Sequence, residues 1–170
     1  MRINYEISIS PWKMDELDTL VTFANNKNIS DNLTDAFPHP YTIEDGIKFI
    51  STYINDNPSR AFAIRINDKP IGSIGVFPQT DIHRKNAEMG YWIAEEYWGM
   101  GIVTKAVKLV IDYGFKTFDI NRIFARPFNT NIASQRVLEK AGMNLEARFQ
   151  NTVIKNGEYK DELFYAIRKE

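Results

Sequence analysis

Residues 88–106 read Glu-Met-Gly-Tyr-Trp-Ile-Ala-Glu-Glu-Tyr-Trp-Gly-Met-Gly-Ile-Val-Thr-Lys-Ala. Residues 89–93 have the pattern of a half-buried strand, a tight turn follows at Gly99 and Gly101, and an amphipathic helix then begins. Glycine readily adopts positive φ and allows close approach to the backbone, so consecutive amides can converge on one anion. The first turn of a helix adds unpaired N–H groups and a partial positive charge. The stretch therefore predicts a site for a phosphate or pyrophosphate.

The helix after the glycines is predicted from its spacing. Apolar residues recur at intervals of three and four between Val103 and Phe118, and charged residues occupy the other face. A pair of glycines also fits an ordinary strand-to-helix turn with no ligand. Neither common nucleotide motif is present, because no Gly-Lys-Ser/Thr follows and Thr104 replaces the third glycine of the Rossmann fingerprint. Any phosphate site here belongs to another class.

The composition indicates one globular domain spanning residues 1–170. The chain is 44% hydrophobic and 25% charged, which suffices for one sizeable core. Its net charge of -1 gives no basic field for nucleic acid. With no cysteine and two histidines, we expect no metal site. We find no signal peptide and no apolar run near the ~20 residues that span a bilayer, so we expect a cytoplasmic protein without a membrane partner.

The N-terminal part predicts a strand, two helices and a hairpin. Ile3, Tyr5, Ile7 and Ile9 alternate as a strand, and 11–26 has the pattern of a helix. A second helix is predicted to start with a capping box at Thr42 and Asp45, and its apolar stripe is Ile43, Ile47, Ile50 and Ile54. Two hairpin strands follow over 62–66 and 71–77, joined by the turn from Asn67 to Pro70.

The C-terminal part continues the mixed pattern. A strand is predicted over Arg122 to Arg126, and a short helix follows with Asn131 as N-cap and Gly142 as C-cap. Two further strands flank an Asn156-Gly157 hairpin turn. The chain therefore alternates helices and strands in a manner typical of an α/β (α+β) domain.

The segment Glu96-Tyr-Trp-Gly-Met-Gly101 resembles the signature of the GNAT superfamily of N-acetyltransferases, Gln/Arg-x-x-Gly-x-Gly/Ala at the start of the central helix. Neither Glu96 nor Trp98 supplies the Gln or Arg. The form Tyr-Trp-Gly-x-Gly-Ile is most similar to the ribosomal-protein alanine N-acetyltransferase (RimJ/RimL-like) branch, where Trp takes that place. A second match covers Asn131, Ser134, Lys140 and Gly142, with Leu138 standing where the family has a tyrosine.

The resemblance implies a fold and an activity. The fold is a mixed, mostly antiparallel seven-stranded sheet flanked by helices. The activity is transfer of the acetyl group of acetyl-CoA to a primary amine by direct attack in a ternary complex, by a monomer or homodimer. The first acceptor expected is a protein or peptide N-terminal α-amine, ribosomal or other, with a small first residue. A polyamine, amino acid or antibiotic is the alternative, and a non-catalytic acyl-CoA-binding module is an alternative of another class.

The resemblance also implies roles for individual residues. Acetyl-CoA would contact main-chain groups of one strand and the glycine turn, together with one helix N-terminus, namely Tyr91, Trp92, Ile93, Trp98, Gly99, Met100, Gly101, Ile102, Val103, Thr104, Asn131 and Ser134. The loop before the second predicted helix would contact the acceptor through Phe37, His39 and Tyr41, although a purely structural histidine is equally compatible.

Two residues are predicted to act in catalysis. Glu88 stands where several members place a general base, and Ser134 would replace the missing tyrosine as proton donor to the thiolate. Alternation from a core-facing Met89 puts Glu88 on the opposite face, so a surface carboxylate remains an alternative. Glu146 and Asp161 are the other candidate bases.

Overall fold

The structure is a computed structural model that describes residues 5–170. Within them one sheet has the strand order β1-β2-β3-β4-β5-β7-β6. The elements are β1 (Ile7–Ser10), α1 (Leu17–Ala24), α2 (Lys27–Ser30), α3 (Ile43–Tyr53), β2 (Ala61–Ile66), β3 (Lys69–Pro78), β4 (Asn86–Ile93), α4 (Ile102–Thr117), β5 (Arg122–Ala125), α5 (Ile132–Lys140), β6 (Asn144–Lys155) and β7 (Glu158–Arg168). The predicted mixed seven-stranded fold is confirmed; Ile3 lies outside the described residues.

The sheet separates two apolar cores. The larger core packs α4, through residues such as Ala106 and Val110, against strand residues that include Ile64 and Met89. The smaller core packs α1 and α3 against residues that include Ala63 on the other face. Because successive side chains of a strand point to opposite faces, Ile64 and Ala63 mark the two sides of one layer. None of the helices in residues 5–170 is long and apolar enough to span a bilayer.

One parallel pair interrupts an otherwise antiparallel sheet. β4 and β5 run parallel and pair from Asn86–Arg122 to Glu88–Phe124, whereas every other pair of neighbouring strands is antiparallel. β4 continues to Ile93 with β3 as its neighbour, while β5 ends at Ala125. The two strands therefore part beyond Glu88, and one edge of residues 89–93 faces a gap in the sheet.

The region predicted as one helix, 11–26, is divided in the structure. A 3-10 turn covers Met14–Glu16, α1 ends at Ala24, and α2 is a separate helix. The division arises at Asn26, which has extended backbone angles and whose side chain accepts a hydrogen bond from the amide of Asn28. Asparagine competes with the helix for backbone hydrogen bonds, and here it caps α2 instead of continuing α1.

The capping box of α3 is confirmed, because Thr42 and Asp45 each accept a hydrogen bond from the other's backbone amide. The predicted apolar stripe is only partly buried. Ile50 is buried, whereas Ile43, Ile47 and Ile54 are 51%, 42% and 41% exposed. A Cβ on Gly46 would lie 2.7 Å from the Leu17 side chain, so the helix packs through this glycine and Ile50, and the other three stripe residues lie outside the contact.

Both predicted hairpins are present. Asn156 and Gly157 adopt φ of 52° and 78° between β6 and β7. The first hairpin turns at Asn67 and Asp68 alone, with φ of 46° and 66°, because residues 69 and 70 already belong to β3. These positive angles favour asparagine, aspartate and glycine, which explains why both turns were recognisable from sequence.

Candidate active site

A cleft of about 680 Å³ opens where β4 and β5 part. It lies among β4, the first turn of α4, the chain after β5, α5 and the segment that contains α2. Its lining comprises residues 88–93, 97–99, 101–104, 125–128, 130–134, 136, 137 and 140, together with Asn28, Ile29, Asn32, Leu33 and Thr34. Groups from distant parts of the chain meet here because parallel β4 and β5 bring residues 88–93 beside residues 125–128.

The glycine turn forms one end of the cleft. Gly99 and Gly101 adopt φ of 74° and 76°, and α4 begins at Ile102 with Gly101 as its N-cap. A Cβ built on either glycine meets nothing within 4 Å, so the space beside both is open. The indole N–H of Trp98 donates to the Ile93 carbonyl oxygen at 3.0 Å and ties the turn to the end of β4. This geometry suits the predicted anion cradle.

The cleft is more basic than the chain. Its lining contains Arg126, Arg136 and Lys140 but only one carboxylate, Glu88, among the described residues. The chain as a whole has a net charge of -1, so the cations are concentrated locally. Arg136 and Lys140 lie one turn apart on α5, a spacing visible in the sequence that our site prediction omitted. The charge pattern favours an anionic ligand.

Glu88 lies at the point where β4 and β5 part. Its two carboxylate oxygens accept hydrogen bonds from Nε and Nη2 of Arg126 at 2.8 Å and 3.0 Å. Glu162 lies 3.6 Å from the same guanidinium. Hydrogen bonding to Glu88 raises the pKa of Arg126, so this cation is permanent and fixes the carboxylate. Glu88 faces away from Met89, as alternation predicted, but that face lines the cleft.

Ser134 lies across the cleft from β4 and is hydrogen-bonded to the hydroxyl of Tyr91 at 2.6 Å. Asn131 caps α5 and accepts a hydrogen bond from the Ser134 amide at 3.1 Å, which fixes the start of the helix. Burial raises the pKa of Tyr91 to about 12, partly offset by the bond to Ser134, so the phenol stays protonated. The Tyr91 hydroxyl is a functional group that sequence reasoning missed. Leu138 is fully buried in the core and cannot take the family tyrosine's place.

A second, apolar cavity of about 160 Å³ adjoins the cleft and shares Leu33, Gly90, Tyr91 and Trp92 with it. Phe37 and Tyr41, two of the residues predicted to contact the acceptor, both line this cavity. The Phe37 ring centroid is 5.8 Å from that of Trp92. His39 is exposed and lines neither space, so its predicted acceptor contact is not supported. The aromatic rings, and not the histidine, form this side of the cavity.

The cleft wall around α2 is held from two sides. Glu95 accepts hydrogen bonds from the side-chain amides of Asn26 and Asn28 at 2.7 Å and 3.0 Å, and these bonds lower the Glu95 pKa. The tip of the β6–β7 hairpin contributes the ion pair of Lys155 with Asp35 at 2.9 Å. The wall is therefore attached both to the turn after β4 and to the edge of the sheet.

The two alternative bases lie outside the cleft. Glu146 on β6 accepts hydrogen bonds from Arg122 and Arg168, and its pKa is lowered mainly by Arg122. Asp161 on β7 accepts from the Asn151 amide and from Arg148, which lower its pKa in that order. Both carboxylates act as structural ion-pair partners in this fold. Glu88 is the one of the three that lines the cleft.

Three of the predicted cofactor contacts depend on main-chain groups. Met100 is 45% exposed at the turn and is not among the lining residues of the cleft, so its main-chain contact stays a prediction. The carbonyl of Ile93 already accepts from Trp98, so it is less available than the prediction assumed. Ile102 is buried, and only its main chain can face a ligand. Residues 5–170 hold no group of three or more histidine, cysteine or acidic side chains placed to hold a metal ion.

Comparison with known proteins identifies the family. The model of the acetyltransferase (GNAT) domain matches residues 6–144. This chain belongs to the GNAT family. The probable N-acetyltransferase YjcK of Bacillus subtilis is 34% identical over 132 residues, which cover 75% of this chain and 73% of YjcK. The protein is therefore an acetyl-CoA-dependent N-acetyltransferase, as the resemblance implied.

Two solved GNAT structures share the fold. RimL, a ribosomal L7/L12 alpha-N-protein acetyltransferase in complex with coenzyme A, aligns with a TM-score of 0.83 and 21% identity, covering 95% of this chain and 93% of RimL. The spermidine N-acetyltransferase of Vibrio cholerae in complex with CoA and spermine aligns at 0.80 and 22%, covering 95% of each chain. At these identities the likeness extends to the fold and not to the acceptor.

The cleft fits the co-substrate of a GNAT enzyme. The positive-φ glycines leave open space where amides can meet a pyrophosphate, and Arg136 and Lys140 of α5 add positive charge to the lining. The unpaired edge of residues 91–93 can bind an extended pantetheine arm in the manner of an added strand. These residues would hold acetyl-CoA with its thioester near the Tyr91–Ser134 pair.

Gly101→Ala should weaken acetyl-CoA binding at least about tenfold, because each amide bond to a charged phosphate contributes roughly 1.5–3 kcal/mol. The left-handed angle at residue 101 would cost an alanine about 1–2 kcal/mol and turn its amide away. Calorimetric titration of the folded variant measures the affinity.

The matched control for that variant is Gly157→Ala. Gly157 has φ of 78°, has equally open surroundings and lies outside the cleft. It should lose similar stability and keep the parent affinity. Equal affinities of both variants would remove the glycine turn from the phosphate site.

Proposed function

We propose that this GNAT enzyme acetylates the α-amine at the N-terminus of a protein or peptide. The observation that carries the proposal is the single carboxylate, Glu88, among the described residues lining the cleft. One carboxylate, itself paired with Arg126, matches an acceptor with one positive centre. A polyamine has several cations and would need several acidic partners, although spermidine acetyltransferases share this fold.

The acidity of the acceptor supports the same choice. Only a neutral amine attacks a thioester, and an α-amine with a pKa of about 7.7–8.0 is roughly one-tenth neutral at pH 7. An alkyl amine with a pKa of about 10.4 is neutral to only a few parts in ten thousand. An α-amine therefore needs less help from a base than an alkyl amine does. Glu88 is the one carboxylate of the described cleft lining that can give that help.

The reaction requires a base on one side and a proton donor on the other. The acceptor nitrogen attacks the thioester carbonyl carbon in a ternary complex, the C–N bond forms, and the C–S bond breaks. Glu88 receives the proton that the amine loses, directly or through water. Ser134 supplies a hydrogen bond or proton to the departing thiolate. Coenzyme A and the N-acetylated peptide result, and the protons balance once Glu88 and Ser134 exchange theirs with solvent.

Tyr91 orients the donor in this scheme. Its hydroxyl remains protonated and is hydrogen-bonded to Oγ of Ser134 at 2.6 Å. In this scheme the phenol is the donor of that bond, which leaves the serine's own hydrogen for the sulfur. A hydroxyl is a weak acid, so the positioning of the two substrates contributes more to the rate than proton transfer does. The tyrosine thus acts through Ser134 as a positioning residue.

Coenzyme A release should be faster with short peptides than with spermidine or aminoglycosides, at equal amine concentration. With peptides, Glu88→Gln should lower kcat about a hundredfold or more below neutral pH, where most of the amine is protonated, and less at high pH, where the neutral amine no longer needs a base. A pH–rate profile for both enzymes measures the effect.

Glu162→Gln is the control, because it removes the other carboxylate beside Arg126 but lies outside the cleft. It should keep the parent profile. Exclusive turnover of polyamines would overturn the N-terminal acceptor. Absence of coenzyme A release with every amine would favour a binding module, and a parent-like profile for Glu88→Gln would remove this base.

Ser134→Ala should lower kcat about tenfold to a hundredfold, at the low end for acid–base groups. If Tyr91 acts through Ser134, Tyr91→Phe should lower kcat less, and adding it to Ser134→Ala should cost nothing further. Steady-state kinetics of the two single variants and the double variant complete the cycle.

Tyr165→Phe serves as the control for the loss of a hydroxyl, because Tyr165 bonds to Glu139 on the same helix from outside the cleft. It should leave kcat unchanged. Additive losses in the double variant would show that Tyr91 and Ser134 act separately, and a Ser134→Ala enzyme at full rate would show that the thiolate leaves unaided.

A further inference from the structure

We propose that the 160 Å³ cavity binds the side chain of the acceptor's first residue and selects a branched or aromatic apolar one. This inference rests on the proposed function, because it names the class of N-terminus that the enzyme accepts. The cavity lies between the sheet and the α1–α3 layer, and its lining is Leu20, Leu33, Phe37, Tyr41, Phe49, Ala61, Ser73, Ile74, Gly75, Phe77, Gly90, Tyr91 and Trp92.

The lining chemistry excludes a charged guest. No residue in it carries a formal charge at neutral pH. The Ser73 hydroxyl donates to the Phe62 carbonyl and accepts from the Trp12 indole, and the Tyr91 hydroxyl is bonded to Ser134. Their hydrogen-bonding capacity is thus largely used within the protein. A cation placed there would lose its hydration without a partner, whereas an apolar group would gain by leaving water.

The volume selects the size of the guest. An apolar protein cavity of roughly 150 Å³ accommodates a benzene ring. At about 160 Å³ this cavity suits a leucine or phenylalanine side chain and would be poorly filled by the methyl of alanine. The aromatic rings around it, Phe37, Phe49, Phe77 and Trp92, provide faces and edges for such a group.

The cavity meets the reaction site at Gly90. Glu88, Gly90 and Trp92 share one face of β4, because strand residues alternate. Gly90 lines both spaces, and a Cβ on it would meet nothing within 4 Å, so the strand leaves open space where cavity and cleft adjoin. An acceptor whose side chain fills the cavity therefore has its backbone beside Gly90. Glu88 is two residues, or about 7 Å, from Gly90 along the strand, so the amine can extend from there towards the Glu88 carboxylate.

The cavity revises the expectation of a small first residue. That expectation came from the resemblance to the ribosomal-protein branch. The cavity is deep on the side formed by the sheet, because the small residues Ser73, Gly75 and Gly90 fill little of the space there. A Cβ on Gly75 would lie 2.3 Å from the Phe77 ring, so the small residue is needed for that ring's position.

The test compares peptides that are identical except for a first residue of Gly, Ala, Leu or Phe, with acetyl-CoA as donor. We expect kcat/KM for Leu and Phe to exceed that for Gly at least tenfold, since a well-filled apolar pocket gives roughly 10- to 200-fold discrimination. Phe49 lines the cavity but not the cleft, so it allows a variant in each direction. Phe49→Trp should move the preference towards smaller residues, and Phe49→Ala towards larger ones.

Ile47→Ala is the control on the same helix, because Ile47 is exposed and lines neither space. It should leave the preference unchanged. Equal kcat/KM for all four peptides would overturn this inference while leaving N-terminal acetylation intact. Turnover of spermidine but no peptide would overturn the proposed function as well. The peptide series needs no variant, so it decides the matter even if a Phe49 variant does not fold.

A series of acyl donors tests whether the cavity binds the acyl chain of the donor instead of the first side chain of the acceptor. With the Gly peptide, propionyl-, butyryl- and hexanoyl-CoA should react more slowly than acetyl-CoA if the cavity is kept for the acceptor side chain. Comparable or faster rates with the longer acyl groups, combined with no effect of the first peptide residue, would assign the cavity to the acyl chain and contradict the inference.

Discussion

The separation of β4 from β5 is the constraint on which the site depends. The two parallel strands pair through Glu88 and Phe124, and β4 then continues alone on that side. Unpaired backbone groups are costly unless they meet water or a ligand, so an open strand edge inside a domain is a natural place for an extended molecule. Glu88 lies at the closed end of this gap. The glycine turn at Gly99 and Gly101 lies beyond its other end.

The fold stabilises this opening from several directions. The main core holds β4 from one face through Met89 and Ile93, and the Trp98 indole links the turn back to the strand. Across the gap, Asn131 fixes the first turn of α5 so that Ser134 meets Tyr91. Every group assigned to chemistry is therefore carried by a strand or helix, or is hydrogen-bonded to one. Such support keeps reacting groups within the narrow tolerances that catalysis requires.

The local parts of the fold and of the site were predictable from sequence, and the long-range parts were not. The glycine turn, the N-cap at Asn131 and the Asn156-Gly157 hairpin depend on residues adjacent in the chain, and the expected elements are present. The bond between Tyr91 and Ser134 spans 43 residues, and that between Glu88 and Arg126 spans 38. Both depend on which strands become neighbours, which hydrophobic periodicity does not specify.

The errors have physical causes as well. The side chain of His39 was expected at the acceptor because of its position in the chain, but a loop has no periodicity that fixes side-chain direction, and His39 is exposed. The α3 stripe was displaced because Gly46 allows close helix packing, which a hydrophobicity pattern does not register. Glu146 and Asp161 are paired with arginines outside the cleft, a consequence of the pairing of β6 with β7.

The central claim is that acetyl-CoA occupies the gap between β4 and β5 with its phosphates at the glycine turn. Amide hydrogen exchange of the parent protein, with and without coenzyme A, tests it directly, because the first N–H groups of α4 have no intrahelical partner. We predict slower exchange at residues 91–93 and 99–104 on binding, with the hairpin at Asn156 and Gly157 unchanged. Binding of coenzyme A without protection at these two segments would contradict the account.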